Sequence, residues 1–411
     1  MSLTLADIHA AREAIGEGVY RTPCPESVPL SLLTGSRVFC KLEQLQRTGS
    51  FKERGGRYAL LKLTDEQRKR GVIAASAGNH ALALAFHGKQ LGVPVTVVMP
   101  TIAPLSKVAN CQKLGAEVIQ TGQTIADCAE HARSFVEARG LTYINGFDDA
   151  AIIAGQGTLG LEVLEQVPDL DAIIVPVGGA GLIAGVALAI KSLKPSVQVI
   201  GVEPKRCASF TAALEAGKPV RIESRPTIAD GLAVPCVGPR AFEIARQHVD
   251  KVVAVSERAL AMAVLRLIEL EKSVVEGAGA AGLAALLWDK LPELKGKCVV
   301  LPLCGGNIDT PVLGHVIDRG LAVDGRLCRF ETTISDRPGG LAKFATLLGE
   351  MGVSIRDITH DRAFAGEDLS TVVVRCSAET RNREHMQELI SRLEREGYTV
   401  HVDEWWQRPE V

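Results

Sequence analysis

From about residue 70 the chain alternates short apolar runs with helical patterns, as in GVIAASAGNHALALAFHGKQLGVPVTVVM followed by KVANCQKLGAEVIQTG. Strands separated by helices pair in parallel, because the chain crosses back over the sheet before each new strand begins. Parallel sheets need helices on both faces, so the alternation constrains the chain to an α/β architecture. Beyond the runs VIAA and VTVVM, strands are expected at 142–145, 172–177, 197–203, 252–255 and 298–303. A chain of 411 residues exceeds one average domain and implies two or three compact units. The stretch from Ala172 to Ile190 is uncharged and nearly long enough to span a bilayer. Pro176 and a Gly-Gly-Ala-Gly cluster interrupt it, which favours strand, loop and helix.

Near Gly320 the pattern changes. LAVDGRL reads as a short connection, and beyond it come CRFETTIS, a helix from Gly340 to Glu350, VSIRDITHDRA, DLSTVVVRCSA, a helix from Arg383 to Glu396, and YTVHVDEW. The order β-α-β-β-α-β within about eighty residues is that of a ferredoxin-like α+β module.

The balance of 46 basic against 48 acidic residues leaves no excess charge to attract nucleic acid or an anionic membrane. Small neutral or zwitterionic ligands are the expected partners. The ten cysteines have irregular spacing, with no C-x-x-C pair and no Cys/His cluster, as in a cytoplasmic protein with reduced thiols and no zinc site. The segment SLTLADIHAAREAIGEGV has the character of an amphipathic helix rather than a signal peptide.

Three glycine-bearing turns follow expected strands: SAGNH (76–80) after VIAA, GGAGL (178–182) after IIVPV, and CGGNID (304–309) after VVLPL. In a parallel sheet such turns lie at the carboxyl ends of the strands, where ligands bind. Their glycines let backbone amides approach an anion, and a helix N-terminus adds favourable potential. GGAGL lacks the Lys and Ser/Thr of a nucleoside-triphosphate loop. Three readings stay open for it: a phosphate cradle, a dinucleotide fingerprint through Gly179, Gly181 and Ala184 with Glu203, or a plain packing turn. SAGNH suits a carboxylate or phenolic oxygen, or simply caps a helix. His80 and His87 share a helix face without a third ligand and are read as core or solvated histidines. Cys304 is read as a buried thiol rather than a nucleophile.

In TGSFKERGG (48–56), Ser50 and Glu53 have capping-box spacing, which predicts Ser50 as the N-cap and puts Lys52 in the first helical turn. A cation is disfavoured there, and Gly55 and Gly56 each cost about 1 kcal/mol relative to alanine. Such coincident violations of local preference mark functional sites. Lys52 is then either a surface lysine whose stem lies along the helix or a Schiff-base lysine with a lowered pKa, able to attack an aldehyde as a neutral amine.

SFKERGG, SAGNHALALAF, IAGQGTLGLEVL, VPVGGAGLIAG, ADGLAV and LCGGNID, in this order, resemble the serine/threonine dehydratase and serine racemase branch of fold type II pyridoxal phosphate enzymes. The likeness spans about residues 5–320. The tail resembles an ACT regulatory domain, with SDRPGGLAKF at its first strand-to-helix turn, and the combination is similar to that of threonine dehydratases. The resemblance implies a two-lobed parallel-sheet catalytic domain of the tryptophan synthase β type over residues 1–320. A small lobe, about 50–144, is inserted in the larger one, and a linker (321–327) leads to the ACT module (328–404). It implies pyridoxal 5'-phosphate as cofactor, an amino acid as substrate, an amino-acid effector at the ACT module and a homo-oligomer.

Residue by residue, the resemblance makes Lys52, beside Phe51, the covalent anchor and the base that takes the substrate's α-proton. Asn79 would bond the cofactor's 3-oxygen, Gly178, Gly179, Ala180, Gly181 and Leu182 would cradle its phosphate, and Cys304 would face its ring nitrogen. Ser76, Ala77, Gly78, Asn79 and His80 would receive the substrate. Ala180 departs from the family's all-glycine loop. Ala77 stands where racemases carry a serine, which favours dehydration of threonine or serine over racemisation. Glu203 matches a cation-ligand position, but Ser209 replaces the expected aspartate, and no metal is assigned. The alternatives are a serine racemase or an O-acetylserine-type synthase with the same cofactor, a nicotinamide enzyme, and a catalytically silent amino-acid sensor.

Overall fold

The computed structural model describes residues 3–288, 290–362 and 369–403. The outermost residues of three expected segments, Ala363, Asp368 and 404–405, lie outside that range, as does Ser2. The chain divides into two compact units, Met1–Asp309 and Thr310–Val411.

The first unit holds two parallel sheets. Strands β1 (Arg37–Lys41), β2 (Val72–Ala75), β3 (Val95–Met99), β4 (Glu117–Gln120), β5 (Thr142–Tyr143), β6 (Ala172–Pro176), β7 (Gln198–Pro204), β8 (Lys251–Val255) and β9 (Cys298–Pro302) follow one another along it. Five of them form a sheet in the order β1-β9-β6-β7-β8, and the other four a sheet in the order β4-β3-β2-β5. The chain thus leaves the larger sheet after β1, builds the smaller one, and returns at β6. Each strand expected from the alternating pattern is present; β5 pairs for two residues only. Beyond it Asn145 Oδ1 accepts from the amides of Phe147 and Asp148, a side-chain turn that ends the ladder.

β1 was not anticipated. Its sequence RVFCK ends in charge, yet Lys41 is fully buried, its ammonium donating to Glu162 at 2.6 Å. The uncharged stretch 172–190 is β6, a turn and most of the helix Gly181–Leu193. Among the described residues no helix is long and apolar enough to cross a membrane.

In the second unit, β10 (Leu327–Ser335), β11 (Ser354–Asp361), β12 (Thr371–Glu379) and β13 (Val400–Val402) form an antiparallel sheet in the order β11-β12-β10-β13. Helices Gly340–Glu350 and Arg383–Arg395 complete the ferredoxin-like order. On β10 Cys328, Phe330, Thr332 and Ile334 are buried in strict alternation, and on β12 Val372, Val374, Cys376 and Ala378, so one face of the sheet carries the core. Residues 321–323, expected in the connection, are the end of a helix Thr310–Val323.

Candidate active site

Lys52 opens the helix Lys52–Leu61, which packs against both the helix Asn79–Leu91 and the helix Ala150–Gln166. The residues before it are stitched to the turn after β9. Ser50 forms a bridge with Gly305, the Phe51 amide donates to the Cys304 carbonyl at 3.0 Å, and the Gly306 amide donates to Gly49 at 2.9 Å. The expected capping box does not form, and the N-cap is Phe51 rather than Ser50. The Glu53 carboxylate turns away to the Thr48 amide and lies 3.2 Å from His87 Nε2, leaving the Ser50 hydroxyl without a partner. The helix start is held by its pairing with the 304–306 turn instead of by a local cap.

The glycines of this helix have a packing cause. A Cβ on Gly55 would lie 2.8 Å from the Ile152 carbonyl, and one on Gly155 would lie 2.6 Å from Gly55 Cα. The two backbones touch, which admits no side chain at either position.

The Lys52 ammonium donates to the Gly146 carbonyl at 2.6 Å and sits 5.2 Å from the Phe51 ring. Burial pulls its pKa down to about 8, although the charge of Glu276 opposes the shift. About a tenth of it is therefore neutral amine at pH 7 and about half at pH 8. Cys304 is buried, its thiol pKa raised well above the ordinary range chiefly by desolvation, and its Sγ lies 3.3 Å from the Pro302 carbonyl.

The three glycine turns sit at the carboxyl ends of β2, β6 and β9. The helix Gly181–Leu193 has no side-chain cap. Its neighbours are treated differently. Glu203 accepts from the amides of Phe210 and Thr211 at the start of the helix Ser209–Ala216, and Asp148 accepts from the Ala241 amide in the first turn of the helix Pro239–His248. The free amides at 178–182 are thus a ready anion site, the property a bound phosphate requires. Ala180 adopts φ +70°, a left-handed backbone that glycine tolerates better. Leu182 contributes backbone only, since its side chain belongs to the core. Phe147 closes the turn from the other side: a Cβ on Gly179 would lie 2.2 Å from its ring, and one on Gly181 2.3 Å from its carbonyl.

Ser76, Ala77 and Gly78 form the loop between β2 and the helix that Asn79 opens. Asn79 Nδ2 donates to Glu276 at 2.9 Å, and Asn79 Oδ1 accepts from Asn307 at 2.8 Å. His80 is buried, bonded to the Ile144 carbonyl at 3.1 Å, and burial followed by the Lys52 charge pushes its pKa down to about 3, so it stays neutral.

Glu276, Asn307 and Phe147 were not singled out from the sequence. Glu276 is buried, and desolvation, then Asp230, pushes its pKa up to about 7. Its signal was a lone carboxylate in VVEGAGAAG, an otherwise apolar run; Asn307 lay in the recognised CGGNID, and Phe147 in the turn sequence NGFDD. Glu203 and His87 do not join the site. Glu203 is engaged in capping, Ser209 beside it has a buried hydroxyl without a partner, and among the described residues no His/Cys/Asp/Glu group is arranged for a metal ion.

An aldehyde-reactive amine, an uncapped anion turn and a neutral thiol on one cluster of strand ends fit a phosphorylated aldehyde cofactor. A family model described as "Pyridoxal-phosphate dependent enzyme" matches residues 15–305, and one described as "ACT domain" matches 330–395. The chain is 42% identical over 400 residues to an L-threonine ammonia-lyase of Thermotoga maritima, covering 97% of this chain and 99% of that protein. Among solved structures, the processed form of threonine deaminase isoform 2 from Solanum lycopersicum superposes with TM-score 0.73 at 35% identity, covering 77% of this chain and 92% of its own. Maize serine racemase superposes with TM-score 0.74 at 36% identity, covering 78% and 99%. With the fold, the site and the match over most of its length in agreement, the chain belongs to the pyridoxal-phosphate dependent enzymes, and its cofactor is pyridoxal 5'-phosphate.

Proposed function

We propose that the protein is a threonine ammonia-lyase, also acting on L-serine, which eliminates the β-hydroxyl and releases a 2-oxo acid and ammonia. The observation that carries this reading is the Lys52 amine, its pKa lowered to about 8, bonded to Gly146 next to Phe147, which packs on the uncapped 178–182 turn. The threonine ammonia-lyase likeness over nearly the full length supports the substrate class.

In this reading Lys52 would bind the cofactor's aldehyde carbon, residues 178–182 its phosphate, Asn79 its 3-oxygen, and Cys304 would face its ring nitrogen. Bound there, the cofactor supplies an electron sink conjugated to the substrate's α-carbon. Cys304 cannot hold the ring nitrogen protonated as a carboxylate would, because its thiol stays neutral. That weaker sink suits β-elimination, in which departure of the hydroxyl removes negative charge as the α-proton leaves. Lys52 Nζ takes that proton, and the Gly146 carbonyl within 2.6 Å orients the amine. The loop 76–78 and the amide of Asn79 face the substrate carboxylate from a helix N-terminus without a side-chain cap. Water is lost with the hydroxyl and regained in hydrolysis, so the net products are the 2-oxo acid and ammonia.

Borohydride reduction of the cofactor-loaded protein should place the pyridoxyl tag on Lys52; a tag elsewhere, or none, overturns the assignment. Racemisation is the competing reaction. Ala77 has no proton to deliver to the opposite face of the α-carbon, so incubation with L-serine should give pyruvate with little D-serine. The ACT module is read as the sensor of a small amino acid, acting by population shift, with Pro338–Gly340 as the contact. Gly340 is constrained there, since a Cβ would lie 2.0 Å from the Ser335 carbonyl. Isoleucine or valine should alter the rate of the intact chain, and a chain ended after residue 325 should lose that response. A homo-oligomer in the cytoplasm completes the reading, and the ten free thiols agree with a reducing compartment.

A further inference from the structure

We infer that Asn307 is a positioning residue that fixes the amide of Asn79 as a hydrogen-bond donor toward the cofactor; this rests on the reading that Asn79 meets the cofactor's 3-oxygen. The Thr48 carbonyl can only accept, and Asn307 Nδ2 lies 2.7 Å from it. That settles which end of the Asn307 amide is nitrogen. The same nitrogen lies 2.8 Å from the near end of the Asn79 amide, which must therefore be the oxygen. Asn79 Nδ2 is left pointing at Glu276, 2.9 Å away, which in its ionised form only accepts. The Thr48 carbonyl thus dictates one orientation for the pair of amides, and ionised Glu276 agrees with it.

The backbone closes the triangle. The Asn307 backbone amide donates to Glu276 as well, so Asn307 holds Asn79 directly and also holds the carboxyl group that Asn79 meets. Thr48 is held in turn, its own amide donating to Glu53. Gly49, with φ +76°, leaves the room that Asn307 occupies, since a Cβ there would lie 2.5 Å from Asn307 Oδ1. Asn79 Nδ2 spends one hydrogen on Glu276 and keeps the second for a ligand. A flipped amide would instead present oxygen to the Glu276 carboxylate and to the cofactor's ring oxygen, two repulsive contacts. The lock turns the donor end of Asn79 toward the cofactor and spends its acceptor end on Asn307, which is what stabilising an anionic ring oxygen demands.

The test uses the full chain loaded with pyridoxal 5'-phosphate, with Asn307→Asp and Asn307→Leu as variants, and follows the visible absorbance band against pH. Loss of a donor to an anionic oxygen raises the proton affinity of the chromophore, so the band's pH midpoint should move up by about one unit in both variants. Should Asn307→Leu not fold, Asn307→Ser, too short to span from Thr48 to Asn79, serves as the uncharged variant. An unchanged midpoint overturns the inference. A shift confined to Asn307→Asp also overturns it, because that would be a charge acting through space. Borohydride mapping of the unsubstituted protein separates the two levels: no tag on Lys52 overturns the reading of the site and this inference with it, whereas a tag on Lys52 with unmoved midpoints overturns this inference alone.

Discussion

Lys52 and Arg54 stand two residues apart on one helix, Arg54 fully buried and Lys52 half-buried, and their protonation is driven in opposite directions. Burial works against the charge of each. Around Arg54, Glu43 and then Glu162 outweigh it: the guanidinium makes paired bonds of 2.7 and 2.8 Å to Glu43, the same to Glu162, and a bond of 3.1 Å to Thr158. Its pKa is raised. Among the described residues Lys52 has a single carbonyl as hydrogen-bond partner, with Glu276 too weak an opposition, and its pKa falls to about 8. A buried cation given full partners holds a structure together; one given too few becomes chemically available. The Arg54 cluster also takes in Lys41 through Glu162, so it ties β1 and the helix Ala150–Gln166 to the helix that presents Lys52.

The sharpest way to break this contrast is to exchange the consequences of losing each cation. Lys52→Ala should lower turnover by more than about a thousandfold and abolish the borohydride tag while leaving the denaturation midpoint nearly unchanged. Unaltered turnover would refute its role. Arg54→Ala should do the reverse, costing about 3–5 kcal/mol in denaturant unfolding by leaving Glu43 uncompensated and Glu162 with Lys41 alone. Any folded fraction should still take the tag on Lys52.

A smaller effect is expected where the helix is held by contact rather than charge. Gly155→Ala places a Cβ 2.8 Å from the Arg54 carbonyl, and the resulting overpacking should cost about 1–3 kcal/mol in the same measurement. The depressed pKa of Lys52 predicts that capture of pyridoxal 5'-phosphate by the cofactor-free chain, followed by stopped-flow absorbance, falls about tenfold per pH unit below about 8 and levels off above it. The sign follows from the neutral amine being the reactive form. A rate independent of pH between 6 and 8 would count against it. Least of all, Ala180→Gly should stabilise the protein by about 0.5–1 kcal/mol, because the left-handed φ of +70° is strained for alanine.

Much of the fold was legible because its signals are local. VIAA, IIVPV and VVLPL are apolar at every position and are buried strands of parallel sheets; the glycine turns after them are where ligand groups gather. Lys52 stood out because it broke a helix-start preference. The misreadings have a common origin. β1 escaped because Lys41 reads as polar until Glu162, 121 residues away, is known to be its partner. The spacing of Ser50 and Glu53 predicts a cap at Ser50, but Glu53 is drawn to Thr48 and His87. Glu276 gave no sign of meeting Asn79, 197 residues earlier.

By itself the sequence determined what depends on neighbours within a turn or a strand: the alternation that makes parallel sheets, the glycine turns, the separate ferredoxin-like module, and an out-of-place lysine. Only the tertiary structure decided what depends on partners brought in from far along the chain. It determined which buried charge is neutralised, which helix N-terminus keeps its amides free, and which way the Asn79 amide faces. Burial acts on every one of these groups alike, and its outcome is set by the donors and acceptors that folding carries to them.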